Sequence, residues 1–187
     1  MTYDKEYFKR SKLERKHFFE MIVWEDFFSP KNILLVGDGL GHRTYAGSII
    51  GMDVIGCDLP EVIEQVPYLE IKERYFEGDI RKLSCVGDSY ADLTVAYDVL
   101  EHLETIEDVE KALKELYRVS GKYIIISVPN IDDKHLYDDK THHIFKSRGW
   151  WIYKVRQAGF EVMETPNNFI FKEQLIVGVK NGSNGAR

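Results

Sequence analysis

Three glycines spaced two apart, Gly37, Gly39 and Gly41, follow the apolar run Ile33-Leu-Leu-Val36, and a segment able to form a helix begins near His42. The implied order is strand, tight loop, helix. Glycine permits positive φ and carries no Cβ, so backbone at such a loop can approach a small molecule lying against the free N–H groups of the helix start. Three acids, Asp58, Asp79 and Asp98, then fall at or just past the ends of the next three apolar runs. Asp58 stands 21 positions after Gly37, where a strand-end carboxylate can accept both hydroxyls of a ribose. One acid at a strand end is an ordinary turn former; three on successive strand ends point to a ligand. A nicotinamide fingerprint would need a third glycine where His42 stands, and the Gly-Lys-Ser/Thr of a phosphate loop is absent. The G-x-G-x-G pattern suits an adenosine-bearing ligand without a pyrophosphate.

Regular elements must hold these residues in place. Residues 4–28 are rich in helix formers and aromatic side chains and predict one or two helices, ended by Ser29-Pro30. After the first strand and its loop, the spacing predicts a helix over Arg43–Ile50 stopped by Gly51, and a strand over Met52–Cys57 ending at Asp58. A short helix over Glu61–Val66 with Pro60 at its first position follows, then a brief strand over Arg74–Glu77. Ala91–Ala96 reads as a strand buried in a parallel sheet. Glu104–Val119 has helical periodicity, with Thr105 as its cap and Asp108 three residues on, and Gly121 as its stop. Lys122–Val128 is strand, Ser147–Ala158 helix, and Phe160–Glu164 with about Phe171–Val179 an antiparallel hairpin. The alternation predicts an α/β fold: a single-domain, Rossmann-like open sheet with helices on both faces and one antiparallel strand near its edge. Ligands of such sheets lie beyond the strand carboxyl ends, where the strand order reverses.

The totals exclude several classes. A chain of 187 residues, 44% hydrophobic and 30% charged, fits one soluble domain, with no apolar stretch of membrane-spanning length and no leader; a cytoplasmic location is expected. Cys57 and Cys85 lack metal-ligand spacing and read as buried free thiols. The net charge of −6 weighs against a dedicated nucleic-acid binder, and the basic run Lys9–Lys16 reads as a solvated face.

From Ile33 to Val179 the chain resembles class I S-adenosylmethionine-dependent methyltransferases. The resemblance rests on Val36-Gly-Asp-Gly-Leu-Gly41, Gly56-Cys-Asp58, Glu77-Gly-Asp-Ile80, Ala91-Asp-Leu-Thr-Val-Ala-Tyr-Asp-Val-Leu-Glu-His-Leu103, Leu116-Tyr-Arg-Val-Ser-Gly121, Ile126-Ser-Val-Pro-Asn130 and Gln157-Ala-Gly-Phe160, in that order. It implies the strand order 3-2-1-4-5-7-6 and a methyltransferase domain over 31–180; the aromatic excess of residues 1–30 is read as packing on or capping the cofactor site, and residues 181–187 as a disordered tail. It also implies that Gly37, Asp38, Gly39 and Gly41 hold the methionine and ribose portion. Asp58 with Leu59 would take the ribose, Asp79 and Ile80 would flank the adenine, and residues from Tyr97 onward would face the sulfonium. Many relatives carry an acid two positions before the first glycine, where this chain has Leu35. The contact to the methionine amino end would then come from Asp38 or a backbone carbonyl, or affinity is reduced.

Asp98-x-x-Glu101-His102, with the later His143, further resembles a segment of ubiquinone-pathway O-methyltransferases and small-RNA ribose methyltransferases that can bind Mg²⁺, Mn²⁺ or Zn²⁺. Asp98, Glu101, His102 and His143 would be the ligands. Without a metal, His102 or His143 would serve as general base, with Glu101 beside them. The base-modifying signatures of other methyltransferases are absent, so the expected reaction is O-methylation of a small-molecule, glycan or lipid-linked acceptor. Two alternatives stay open, a non-catalytic S-adenosylmethionine-binding partner subunit and an RNA ribose 2′-O-methyltransferase. A homodimer is also kept open.

Overall fold

The run Ile33–Val36 forms β1, and all four of its residues are buried, because both faces of the strand are covered. Its side chains alternate between two layers. Leu34 and Val36 pack with one core group and Ile33 and Leu35 with another. A computed structural model describes residues 3, 7–131, 139–170 and 173–180. The expected starts of the N-terminal helical region at Asp4 and of the last strand at Phe171, and the 181–187 tail, lie outside them.

Around β1 a seven-stranded sheet assembles in the order β3-β2-β1-β4-β5-β7-β6. Its strands are β2 (Val54–Asp58), β3 (Tyr75–Glu77), β4 (Ala91–Tyr97), β5 (Ser120–Ser127), β6 (Phe160–Met163) and β7 (Leu175–Lys180). The first five are parallel, and β7 lies antiparallel to both β5 and β6. This is the expected Rossmann-like topology. The order reverses between β1 and β4, so their carboxyl ends open the crevice in which such sheets bind ligands.

Helices cover both faces. Val109, Ala112, Leu113 and Leu116 of α4 (Ile106–Val119) recur at helical spacing and pack, with Trp151 and Val155 of α5 (Arg148–Gln157), over the layer that contains Leu34 and Val36. Thr105 caps α4 as expected, its hydroxyl accepting from Asp108 N at 3.1 Å. On the other face, α1 (Arg15–Phe28) contributes Met21, Trp24 and Phe28, and α2 (His42–Ile49) contributes Ala46. The remaining pieces are α3 (Pro60–Ile63) and 3-10 turns at Tyr7–Arg10, Leu69–Arg74 and Leu100–His102. Among the described residues no helix is long and apolar enough to cross a membrane.

Three expectations change. Gly121 does not stop α4: the helix ends at Val119, Ser120 already belongs to β5, and the Ser120 hydroxyl donates back to Leu116 O at 2.6 Å. Gly121 is small for another reason, since a Cβ there would lie 3.1 Å from Ala91 O of the neighbouring strand. Cys57 is buried, but Cys85 is exposed, because it lies in the loop between β3 and β4 rather than in the sheet. The last strand begins at Leu175, with Glu173 and Gln174 in a turn.

Candidate active site

At the carboxyl end of β1 the chain turns through Gly37, Gly39 and Gly41 at φ of 72°, 59° and 74°. A side chain at Gly37 has no room, because its Cβ would stand 2.4 Å from Val99 Cγ2. Asp38, between the glycines, is partly buried, and its Oδ2 accepts from Thr44 N at 3.0 Å and Thr44 Oγ1 at 2.8 Å. It thereby satisfies a free N–H in the first turn of α2 that Gly41, at the helix start, has no side chain to reach. Asp38 Oδ1 has no hydrogen-bond partner among the described residues, and burial pushes the carboxyl pKa up. Leu35 packs in the α1 layer on the other face, so nothing at that position substitutes for an acid.

The tip of β2 is wired to this loop. Asp58 accepts from Gly39 N through Oδ2 and from Leu59 N through Oδ1, both at 2.7 Å, and burial lifts its pKa to about 7 against those two bonds. Gly39 is held from the other side as well, its carbonyl accepting from Tyr75 Oη at 2.9 Å. Asp79 is differently placed. Arg81 grips it through Nε and Nη2, and these hydrogen bonds hold its carboxyl below the usual range. Ile80 is buried beneath. The Tyr97 ring lies 4.3 Å under the Arg43 guanidinium, which is itself paired with Glu20 at 2.9 Å, and beside Trp24. Its side chain thus packs in the α1 layer rather than with Asp58.

Beyond β4 a second group assembles. Asp98 adopts φ 53°, and its Oδ1 accepts from the Ser127 hydroxyl at 2.7 Å, which commits it to the end of β5. Glu101 is buried, both of its carboxylate oxygens lack partners among the described residues, and burial together with the nearby Asp98 pushes its pKa well up. His102 lies 4.7 Å, ring to ring, from His142, and its pKa is lowered by burial and by His142. Glu101, His102 and His142 each offer a ligand atom within 4.8 Å of the others. The structure therefore brings together Glu101 and His102 of the expected set, has His142 in place of His143, and leaves Asp98 outside the close group. His143 is exposed; its N–H and that of Ile144 donate to Glu101 O at 2.8 and 3.0 Å. Adjacent residues on extended backbone point to opposite sides, so choosing between neighbouring histidines is a question of parity that the sequence leaves open. One carboxylate and two imidazoles, with two orphaned buried oxygens at the centre, fit a divalent transition metal by donor chemistry.

Two described N-terminal residues lie against these groups. Phe8 Cε1 would be 3.4 Å from a Cβ on Gly39, and the Tyr3 ring meets His102 edge-on at 6.0 Å. His42 is a structural hub, bonded to Tyr68 Oη at 2.6 Å and to Ser11 Oγ at 3.0 Å. These contacts were foreshadowed only by the aromatic excess before β1. Thr44 and Tyr75 left no sequence signal. A groove of about 500 Å³ between Ile22, Pro30, Ile50 and Met52 lies at the amino ends of β1 and β2, the wrong edge of the sheet for this chemistry.

Comparison with known proteins agrees with this geometry. Residues 34–125 match the family described as Methyltransferase domain. The fold is similar to an S-adenosylmethionine-dependent methyltransferase from Archaeoglobus fulgidus at 17% identity, covering 95% of this chain and 100% of that one with a TM-score of 0.69. It is also similar to magnesium protoporphyrin IX methyltransferase from Synechocystis, solved with bound S-adenosylhomocysteine, at 14% identity, 95% and 96% coverage and a TM-score of 0.69. The YcgJ protein of Bacillus subtilis aligns at 16% identity over 89% of this chain and 99% of its own, again with a TM-score of 0.69. Curated protein sequences give no match. The domain match over residues 34–125 and the sheet topology together support a class I S-adenosylmethionine-dependent methyltransferase.

Proposed function

We propose that the protein methylates a hydroxyl group on a small-molecule, glycan or lipid-linked acceptor, with His102 as general base. The observation that carries this reading is the buried Glu101, His102 and His142 group directly after β4, beside the cofactor crevice, in which burial and His142 keep His102 uncharged at neutral pH. S-adenosylmethionine supplies an electrophilic methyl group on sulfur. The backbone of Gly37, Gly39 and Gly41 would hold its methionine and ribose portion, and the orphaned Asp38 Oδ1 is the acid available for the amino end in place of Leu35. Asp58 and Leu59 would receive the ribose, and Ile80 would flank the adenine. Asp79 would reach the adenine edge only by sharing its carboxylate with Arg81. The acceptor oxygen attacks the methyl carbon as the carbon–sulfur bond breaks, and His102 takes the hydroxyl proton. Alignment of the nucleophile provides much of the rate. Alternatively, a divalent ion held by Glu101, His102 and His142 would acidify the same hydroxyl, and His102, its lone pair given to the ion, would then not be the base.

The test is methyl transfer from labelled S-adenosylmethionine to panels of phenols, catechols, sugars, lipid-linked glycans, amines and thiols, each with EDTA and with Mn²⁺. Turnover confined to hydroxyl acceptors supports the proposal. Turnover confined to amines or thiols would overturn it, and turnover that survives EDTA excludes an obligatory metal.

A further inference from the structure

Two residues with no role so far, Asp139 and Thr141, converge on His102. Thr141 Oγ1 lies 2.7 Å from His102 Nδ1 and donates to Asp139 Oδ1 at 2.6 Å, while the Thr141 N–H reaches the same carboxylate oxygen at 2.8 Å. Asp139 Oδ1 thus accepts two hydrogen bonds from Thr141, the arrangement of a carboxylate that can only accept. A hydroxyl has one proton, and the charge-assisted bond to a carboxylate is the stronger claim on it. With that proton committed, Thr141 can offer His102 only a lone pair. The proton between them must then sit on His102 Nδ1. Tyr7 is hydrogen-bonded to Thr141 as well. A neutral imidazole protonated at Nδ1 carries its free lone pair on Nε2.

We propose that Asp139 and Thr141 are positioning residues that fix His102 in its Nδ1–H tautomer, so that Nε2 is the atom that accepts the proton of the methyl acceptor. The inference builds on the reading of His102 as general base. It joins three stretches far apart in the chain, the Leu100–His102 turn after β4, residues 139–142, and the N-terminal segment through Tyr7.

The experiment is long-range ¹H–¹⁵N correlation on histidine-labelled full-length protein saturated with S-adenosylhomocysteine at pH 8, with His102 assigned by the signals lost in His102→Gln. The wild type and Thr141→Ser are expected to show a protonated Nδ1 and an unprotonated Nε2. Thr141→Val removes the acceptor, and Asp139→Ala frees the hydroxyl proton to point at Nδ1. Both should move the proton to Nε2 in part or completely, while S-adenosylhomocysteine affinity, measured by calorimetry, stays within about twofold. An Nε2–H ring in the wild type or in Thr141→Ser overturns the proposal, even if the other variants fail to fold. So does an unchanged Nδ1–H ring in both Thr141→Val and Asp139→Ala. Failure of the base reading is seen separately, as undiminished turnover by His102→Gln, a result that leaves the ring-nitrogen pattern untouched.

Discussion

The two halves of the crevice are built by different means. On the β1–β2 side, carboxylates bonded to backbone N–H groups do the work: Asp58 takes the N–H groups of Gly39 and Leu59, and Asp38 takes Thr44. On the β4 side, the group round His102 is drawn from three distant stretches, and the carboxylate at its centre, Glu101, has both oxygens without a partner among the described residues. A pre-organised half suits a constant ligand, because little ordering remains to be done on binding. A half held by long-range contacts with unmet polar demand suits a ligand that differs from one enzyme to another.

The contrast is broken most severely at Gly37. Gly37→Val would place a branched side chain on Val99 at a positive φ, and we expect a loss of about 3 kcal/mol in stability and more than 100-fold in S-adenosylhomocysteine affinity, read by thermal melting and calorimetry. Near-normal affinity in that variant would show that the loop is not the cofactor cradle. Next is His102→Gln, on the other half. Methyl transfer should fall about 10² to 10⁴-fold while S-adenosylhomocysteine binding changes less than about threefold, and a parallel loss of both would merge the two halves into one.

Asp58 allows a graded test. A carboxyl raised to about 7 keeps its proton in the native state at pH values where the unfolded chain has lost it. Burying its charge therefore costs stability progressively as pH rises from the ordinary carboxylate value to about 7. Ribose hydroxyls donating to the ionised form would recover part of that cost. S-adenosylhomocysteine affinity is accordingly expected to weaken about tenfold per pH unit below 7 and to level off above it. A flat calorimetric profile between pH 5.5 and 8.5 would remove Asp58 from the cofactor site. The smallest effects separate the two adjacent histidines: His143→Ala should stay within about twofold of wild-type turnover, and His142→Ala should lose at least tenfold.

What could be read from the chain alone follows the same division. The glycine loop, the strand-end position of Asp58 and the order of strands are local or pattern-level features, set by burial on both sheet faces and by the need for positive φ. Thr105 capping α4 is equally local. The choice of His142 over His143 depends on how residues 139–144 dock on Glu101, and the orientation of Tyr97 depends on Arg43 and Glu20 packing from α1 and α2. Arg81 claiming Asp79 is local in sequence, but whether that carboxylate turns to a guanidinium or to a ligand is decided by side-chain rotamers that no spacing encodes.

The N-terminal stretch has a kinetic consequence. Phe8 against Gly39, Tyr3 against His102 and Ser11 tethered to His42 cover the surface on which the cofactor is proposed to lie. Entry of S-adenosylmethionine and departure of its demethylated product then require that stretch to lift. Each turnover would then include at least one opening that costs a few weak contacts, so how firmly Tyr3, Phe8 and Ser11 are held would enter the rate of cofactor exchange.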